Sequence, residues 1–286
     1  MTPATWISIY LELGKARLSS LVLITTLAGY LAAPRGAFDW AHMLVTLGGT
    51  AMAALGANGL NQVLERDRDA LMERTRERPL PSGRMGAAHA VAVSALTALV
   101  GCLVLARWSG VLPALLAAGT VLLYVVVYTP LKPRSNLNTM AGAVVGAIPP
   151  LIGWSAVTGG IETGGWLLGL LLFIWQIPHF LSLAWLYRDD YRRGGYKMVS
   201  VDDPEGDSTF RLMMIYAWVL LPLGLVMSVA GMAGAIFAAG SVLLGGAWLW
   251  QGIRCYRDRS RVNTRRVFLG SVMYLPLLLA LLVASP

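Results

Sequence analysis

Asn61, Glu65 and Asp69 follow one another at intervals of four residues in a chain that otherwise carries few charges. On a helix each residue turns about 100°, so a four-residue step drifts only about 40° and the three side chains share one face. Three oxygen donors on one face suit a hard divalent cation such as Mg²⁺, which takes a few carboxylates and completes its shell with water and substrate phosphate. Arg74, Arg76, Arg78 and Arg84 come next, and planar guanidinium forks match phosphate oxygens. Carboxylates beside arginines therefore point to a metal-bridged diphosphate. Cytoplasmic loops of membrane proteins collect Lys and Arg for a separate reason, membrane topology. That rule accounts for the arginines but not for acids at a helical period.

A second acidic and basic cluster reads Tyr187-Arg188-Asp189-Asp190-Tyr191-Arg192-Arg193, shortly after Trp175-Gln176-Ile177-Pro178-His179-Phe180. His179 and Asp190 are eleven residues apart, so an unbroken helix would put them on nearly one face, about 16 Å apart in depth. His179 would then lie within a membrane beneath the charges, where polar residues usually serve a function. The simpler alternative is an imidazole bonded to a neighbouring helix. Lys132 belongs to Tyr128-Thr129-Pro130-Leu131-Lys132-Pro133-Arg134, where two prolines stiffen a turn that can aim the ammonium at the same anion as the arginines. Lys15 and Arg17 read as snorkelling anchors at the start of the first span. Pro149-Pro150 would break a helix in mid-membrane, which is tolerated only against protein or a cavity. A diphosphate head at the membrane face above an apolar body describes an isoprenoid diphosphate. A dry pocket would shield the allylic cation left by its ionisation.

These residues need elements to position them. The chain is 56% hydrophobic and 13% charged, with a mean hydropathy of +0.62; a soluble domain carries about 25% charge. The expectation is an all-α polytopic membrane protein, because helices satisfy their own backbone in lipid and the apolar runs are too long for barrel strands. Nine spans are expected, over residues 18–33, 42–63, 87–107, 111–128, 138–157, 165–187, 212–229, 233–250 and 267–284, arranged in one domain over 1–286. Loops at about 64–86 and 188–211 would cap the site. With nine spans and a cytoplasmic N-terminus, every Lys and Arg except Arg35 and Arg107 falls on the inner side, as the positive-inside rule asks. The C-terminus would lie outside. The net charge of +8 is thus explained by loops rather than by nucleic acid. Cys102 and Cys255 are too few and too far apart for a disulfide framework. Residues 1–13 show neither a cleaved-signal nor a transit-peptide pattern, which favours the plasma membrane of a prokaryote.

Asn61, Glu65, Asp69, Met72, Arg74, Thr75, Arg78 and Pro79, then Tyr128 to Lys132, Gly146 to Pro150 and Trp175-Gln176 with Pro178-His179-Phe180, resemble the motifs of the intramembrane prenyltransferase superfamily. The resemblance runs from about residue 10 to 200 and is closest to its protoheme IX farnesyltransferase branch. It implies nine helices around a central cavity, Mg²⁺, and farnesyl diphosphate and haem B as substrates. The farnesyl group would pass to a haem vinyl, and water would complete haem O. It further implies that Asn61, Glu65 and Asp69 hold metal and diphosphate, joined by Asp190 and Asp189 from the second cluster. Arg74, Arg78, Lys132 and Arg188 would grip phosphate, with Tyr187, Tyr191 and His179 toward the substrates. A haem A synthase is an implied partner. Tyr187 and Tyr191 occupy the places where the superfamily usually has two aspartates, a change shared by this branch. Glu65 stands where Asp is commoner, and Lys15-Ala16-Arg17 where Lys-Pro-Arg is usual. The alternatives are another prenyl acceptor, such as 4-hydroxybenzoate or chlorophyllide, and a transporter built on intramembrane polar residues.

Overall fold

The computed structural model describes residues 3–34 and 36–285; Arg35, assigned above to the outer side, lies outside them. The described residues form helices and connecting turns, with no strand. A short α1 (Pro3–Leu13) precedes α2 (Ala16–Ala32), α3 (Trp40–Asp69), α4 (Ala87–Ser109), α5 (Val111–Leu131), α6 (Asn138–Thr158) and α7 (Thr163–Leu186). Then come the short α8 (Arg188–Arg193) and α9 (Val199–Asp202), followed by α10 (Asp207–Val229), α11 (Ala235–Arg257) and α12 (Arg261–Ala284).

Among the described residues eight helices, α3 to α7 and α10 to α12, are long and apolar enough to cross a membrane. Nine such helices were expected; the ninth, α2, has only 17 residues, a rise of about 26 Å at the short limit of a bilayer span, so the count of long helices among the described residues is eight. The protein is nonetheless a multi-pass membrane protein. Leu99, Leu115, Leu122, Trp218 and Leu243 point outward, as suits helices whose outer faces meet lipid rather than water.

The second expected boundary also moves. Residue 63 was to end a span, yet α3 continues unbroken to Asp69 and has 30 residues. Its length of about 45 Å exceeds the membrane core, so its last turns carry their acids up to the rim. The helix survives there because its acids are paired: Glu65 with Lys132 and Asp69 with Arg78, both at 2.7 Å.

Pro149 and Pro150 divide α6 into Asn138–Ala147 and Pro149–Thr158, since a ring nitrogen cannot donate to the preceding turn. The second half lies against α2 at backbone contact. A Cβ on Gly153 would sit 1.9 Å from the Thr26 carbonyl oxygen, and one on Gly29 2.0 Å from that of Pro150. Only glycine permits this approach. On the other side, Leu168, Leu171 and Ile177 of α7 pack with Phe210, Phe237, Trp248 and Leu278 of α10 to α12 in the main apolar core.

Contacts between loops gather the charged segments at one end of the bundle. Arg84 pairs with Glu12, Lys132 with Glu65, Arg193 with Glu73 and Arg259 with Asp207.

Candidate active site

A cavity of about 950 Å³ opens at the charged end. Its lining includes Lys15, Glu65, Asp69, Arg74, Arg78, Lys132, His179, Tyr191 and Tyr196. Two apolar lobes, of about 770 and 740 Å³, lie below. One runs along Leu21, Ile24, Trp175, His179, Val272 and Pro276; the other along Ala54, Ala57, Thr120, Tyr124 and Tyr128. Leu18, Val22, Gly146, Pro149, Gln176 and Phe180 border both, so the lobes share a thin wall. His179 and Phe180 also line the polar cavity, as do Tyr124 and Tyr128, making one polar head over two apolar bodies.

The face of α3 supplies the acids. Asn61 accepts from Lys15 Nζ and donates to Thr129 Oγ1 at 2.8 Å. Glu65 accepts from Lys132 Nζ at 2.7 Å. Burial opposes the charge of Lys132, but Glu65 beside it outweighs burial and raises the ammonium pKa well above its usual value. Asp69 Oδ2 accepts from Arg78 at 2.7 Å, and Thr75 donates to the Asp69 carbonyl. Asp69 Oδ1 is buried with no hydrogen-bond partner. An unpaired anionic oxygen under a cavity is costly unless a ligand meets it.

That orphan tests whether a metal fits. Among the described residues no three His, Cys, Asp or Glu side chains gather into a cage. Mg²⁺ does not need one; a pair of carboxylates with an amide oxygen, completed by water and phosphate, is an ordinary donor set. Glu65 and Asp69 line the cavity and their donor type suits the ion; Asn61 has the same donor type but does not line the cavity, and its oxygen accepts from Lys15.

The second cluster is arranged differently from the first. Asp189 is exposed and pairs with Arg192 at 3.1 Å. Arg188 lies over the Trp185 ring and donates to the Pro204 carbonyl. Asp190 is buried, but its Oδ1 accepts from Arg193 and, at 3.1 Å, from the Glu73 backbone N–H. Burial opposes its ionisation; Arg193 and the Glu73 amide win and lower its pKa. These three side chains are not among those lining the cavity. Asp190 instead latches the loop after α3 to α8. Behind the rim, Arg74 stacks over Tyr187, its guanidinium carbon 4.8 Å from the ring centroid, and over Tyr191, and it donates to the Tyr191 hydroxyl at 3.3 Å. The two tyrosines thus hold Arg74 at the cavity.

His179 is sandwiched between Trp175 and Phe268, with centroids 5.0 and 5.1 Å away. Its Nδ1 meets Ser271 Oγ at 2.7 Å, while Ser271 spends its one proton on the Phe268 carbonyl at 2.6 Å. Nδ1 must then be the donor, so Nε2 carries a bare lone pair.

Two residues were misread or missed in the sequence. Lys15, expected as a lipid-facing anchor, faces the cavity in a left-handed backbone conformation, φ 50°. Burial first, then Arg78, lowers its pKa to about 7. Its position immediately before α2, with Asn61 opposite, was not readable from hydropathy. Tyr196 was not singled out, although the Gly194-Gly195 pair before it marks a turn that aims the next side chain.

The family model described as the UbiA prenyltransferase family matches residues 22–279. The protoheme IX farnesyltransferase of Solibacter usitatus is 40% identical over 285 residues, 96% of this chain and 97% of its own. That of Salinibacter ruber is 43% identical over 276 residues, 96% of this chain and 98% of its own. The solved structure of a UbiA homologue from Archaeoglobus fulgidus bound to GPP and Mg²⁺ has the same fold, with a TM-score of 0.72 at 14% identity, covering 96% of this chain and 99% of that one.

Proposed function

Because the chain belongs to the UbiA prenyltransferase family, we propose that it transfers the farnesyl group of farnesyl diphosphate to a vinyl group of haem B, giving haem O. The observation that carries the reaction class is Asp69, whose unpaired Oδ1 borders a cavity rich in Arg and Lys that opens onto apolar lobes. The choice of haem rests on the full-length similarity to proteins named protoheme IX farnesyltransferase.

Lys15, Arg74, Arg78 and Lys132 bind the diphosphate as cations aimed into one space. Mg²⁺, held by Asn61, Glu65 and Asp69, would neutralise the charge that develops on the leaving diphosphate. As the bond between the first farnesyl carbon and oxygen breaks, its electron pair leaves with the diphosphate. The apolar lobes keep water from the allylic cation until the haem vinyl attacks it. Water then adds to the vinyl-derived carbon and loses a proton, leaving the hydroxyethylfarnesyl group. His179, with Nε2 bare, orients the acceptor by offering its lone pair to the haem iron. Tyr187 and Tyr191 keep Arg74 over the diphosphate, and Asp190 acts through the loop it latches; Asp189 and Arg188 lie outside this chemistry. The charged end faces the cytoplasm of a prokaryote, with the C-terminus outside. The product is the one a haem A synthase consumes.

The test is direct. Membranes containing the protein, supplied with haem B, farnesyl diphosphate and Mg²⁺, yield haem O detectable by mass. An acceptor screen with labelled farnesyl diphosphate that transfers label to a phenol and not to haem would overturn the acceptor.

A further inference from the structure

We propose that the phenol of Tyr196 donates a hydrogen bond to the diphosphate of the prenyl substrate, making it a further binding residue of this site. Tyr196 is 3% exposed and lines the polar cavity, yet its hydroxyl has no hydrogen-bond partner. A buried hydroxyl left unpaired is rare and costly. Its placement is not slack. The Tyr196 N–H donates to the Tyr191 carbonyl at 2.9 Å, and the Lys197 N–H to that of Lys132 at 2.8 Å. Arg68 ties down the Gly194 and Gly195 carbonyls. Gly195, at φ 68°, reverses the chain after α8 in a conformation that glycine adopts freely, and this turn delivers Tyr196 to the cavity. Lys132 Nζ lies 5.7 Å from the ring centroid.

The cavity thus holds two orphans of opposite kind, an acceptor in Asp69 Oδ1 and a donor in Tyr196 Oη, unbonded to each other. One ligand satisfies both if it brings a cation to the carboxylate and an anionic oxygen to the phenol, as a metal diphosphate does. Burial, with Glu65 and Asp69 nearby, raises the Tyr196 pKa, so the group stays a neutral O–H that an anion attracts. When the carbon–oxygen bond breaks, the electron pair stays on the diphosphate, and Tyr196 keeps its proton while strengthening its bond to the more charged oxygen.

The proposal rests on the diphosphate reading of the site but not on the acceptor. The probe is therefore inorganic pyrophosphate with Mg²⁺, titrated calorimetrically into the full chain in detergent. Tyr196→Phe removes one oxygen and keeps the ring. Pyrophosphate should bind about tenfold or more weakly, as expected for a lost hydrogen bond to a charged group. The kcat should fall by a similar factor while KM for the acceptor stays put. Unchanged pyrophosphate affinity, as when the phenol only bridges a water to Asp69, overturns the proposal. If the variant does not fold, 3-fluorotyrosine at position 196, a stronger donor of nearly the same shape, should tighten pyrophosphate; no tightening overturns it. A wild-type chain that binds pyrophosphate but prenylates no haem would sink the acceptor reading alone, and one that binds none would sink both.

Discussion

Lys132 and Glu65 form an ion pair with side chains only 13% and 5% exposed. Such a pair adds little over an apolar contact, but breaking it strands a charge, at a cost of about 3–5 kcal/mol. Lys132→Met should therefore lower the melting temperature in detergent. Mg²⁺ should restore part of the loss, and should stabilise the variant more than the wild type, because it replaces the missing positive charge beside Glu65. An equal effect of Mg²⁺ on both proteins would place the ion elsewhere. Asp69→Asn keeps size but removes charge from a carboxylate whose Oδ1 is buried and without a hydrogen-bond partner. Turnover should fall by about 10²-fold or more, the loss typical of removing one group that stabilises developing charge. The haem spectrum should not change, since His179 is untouched; a changed spectrum would mean the two ends of the cavity are not independent.

At the scale of elements, the site depends on two joints. The first is the latch between α8 and the loop after α3, made by Asp190, Arg193 and the Glu73 amide. Asp190→Ala releases that loop and with it Arg74. It should raise KM for farnesyl diphosphate more than it lowers kcat, the reverse of the Asp69 variant. Matched kcat losses in the two variants would instead make Asp190 a metal ligand. The second joint is the backbone contact of α2 with α6. Gly153→Ala puts a methyl against a carbonyl oxygen that cannot move aside, and should cost about 1–3 kcal/mol or more by overpacking. Gly146→Ala meets the Gln176 side chain, which can swing. Stability should change little there, while both lobes narrow at their shared wall and kcat falls. Equal melting temperatures for the two variants would count against this distinction.

At the scale of the whole molecule, the charged cavity lies at one end of the bundle. The Gly234 N–H donates to the Ser285 carbonyl, which ties the end of α12 to the turn between α10 and α11, remote from the charged loops. A phosphatase fused at the C-terminus should be active and a fluorescent protein there dark, as expected for an outside terminus. The reverse pattern would invert the whole arrangement and put the charged cavity outside.

Much of this was legible in the sequence because lipid makes the relevant signals local. Each span must satisfy its own backbone, so its apolar run can be read one segment at a time. The four-residue period of Asn61, Glu65 and Asp69 is equally local, and α3 keeps those residues on one buried face. What the sequence left open were questions of depth and direction. Hydropathy did not separate the 17 residues of α2 from a full span, nor an anchor from a cavity lysine at Lys15.

The chain by itself determined the class of structure, the positions of its apolar segments and the periodic acids, all functions of neighbours within a few turns. Only the tertiary structure decided which charges look inward. Lys15 reaches Asn61 across 46 residues of sequence, and Arg68 holds Gly194 across 126. Those long-range bonds turn Tyr196 into the cavity and spend Asp190 on the latch. The physical reason is that a charge's partner is chosen by packing among distant helices, and no periodicity within one helix records that choice.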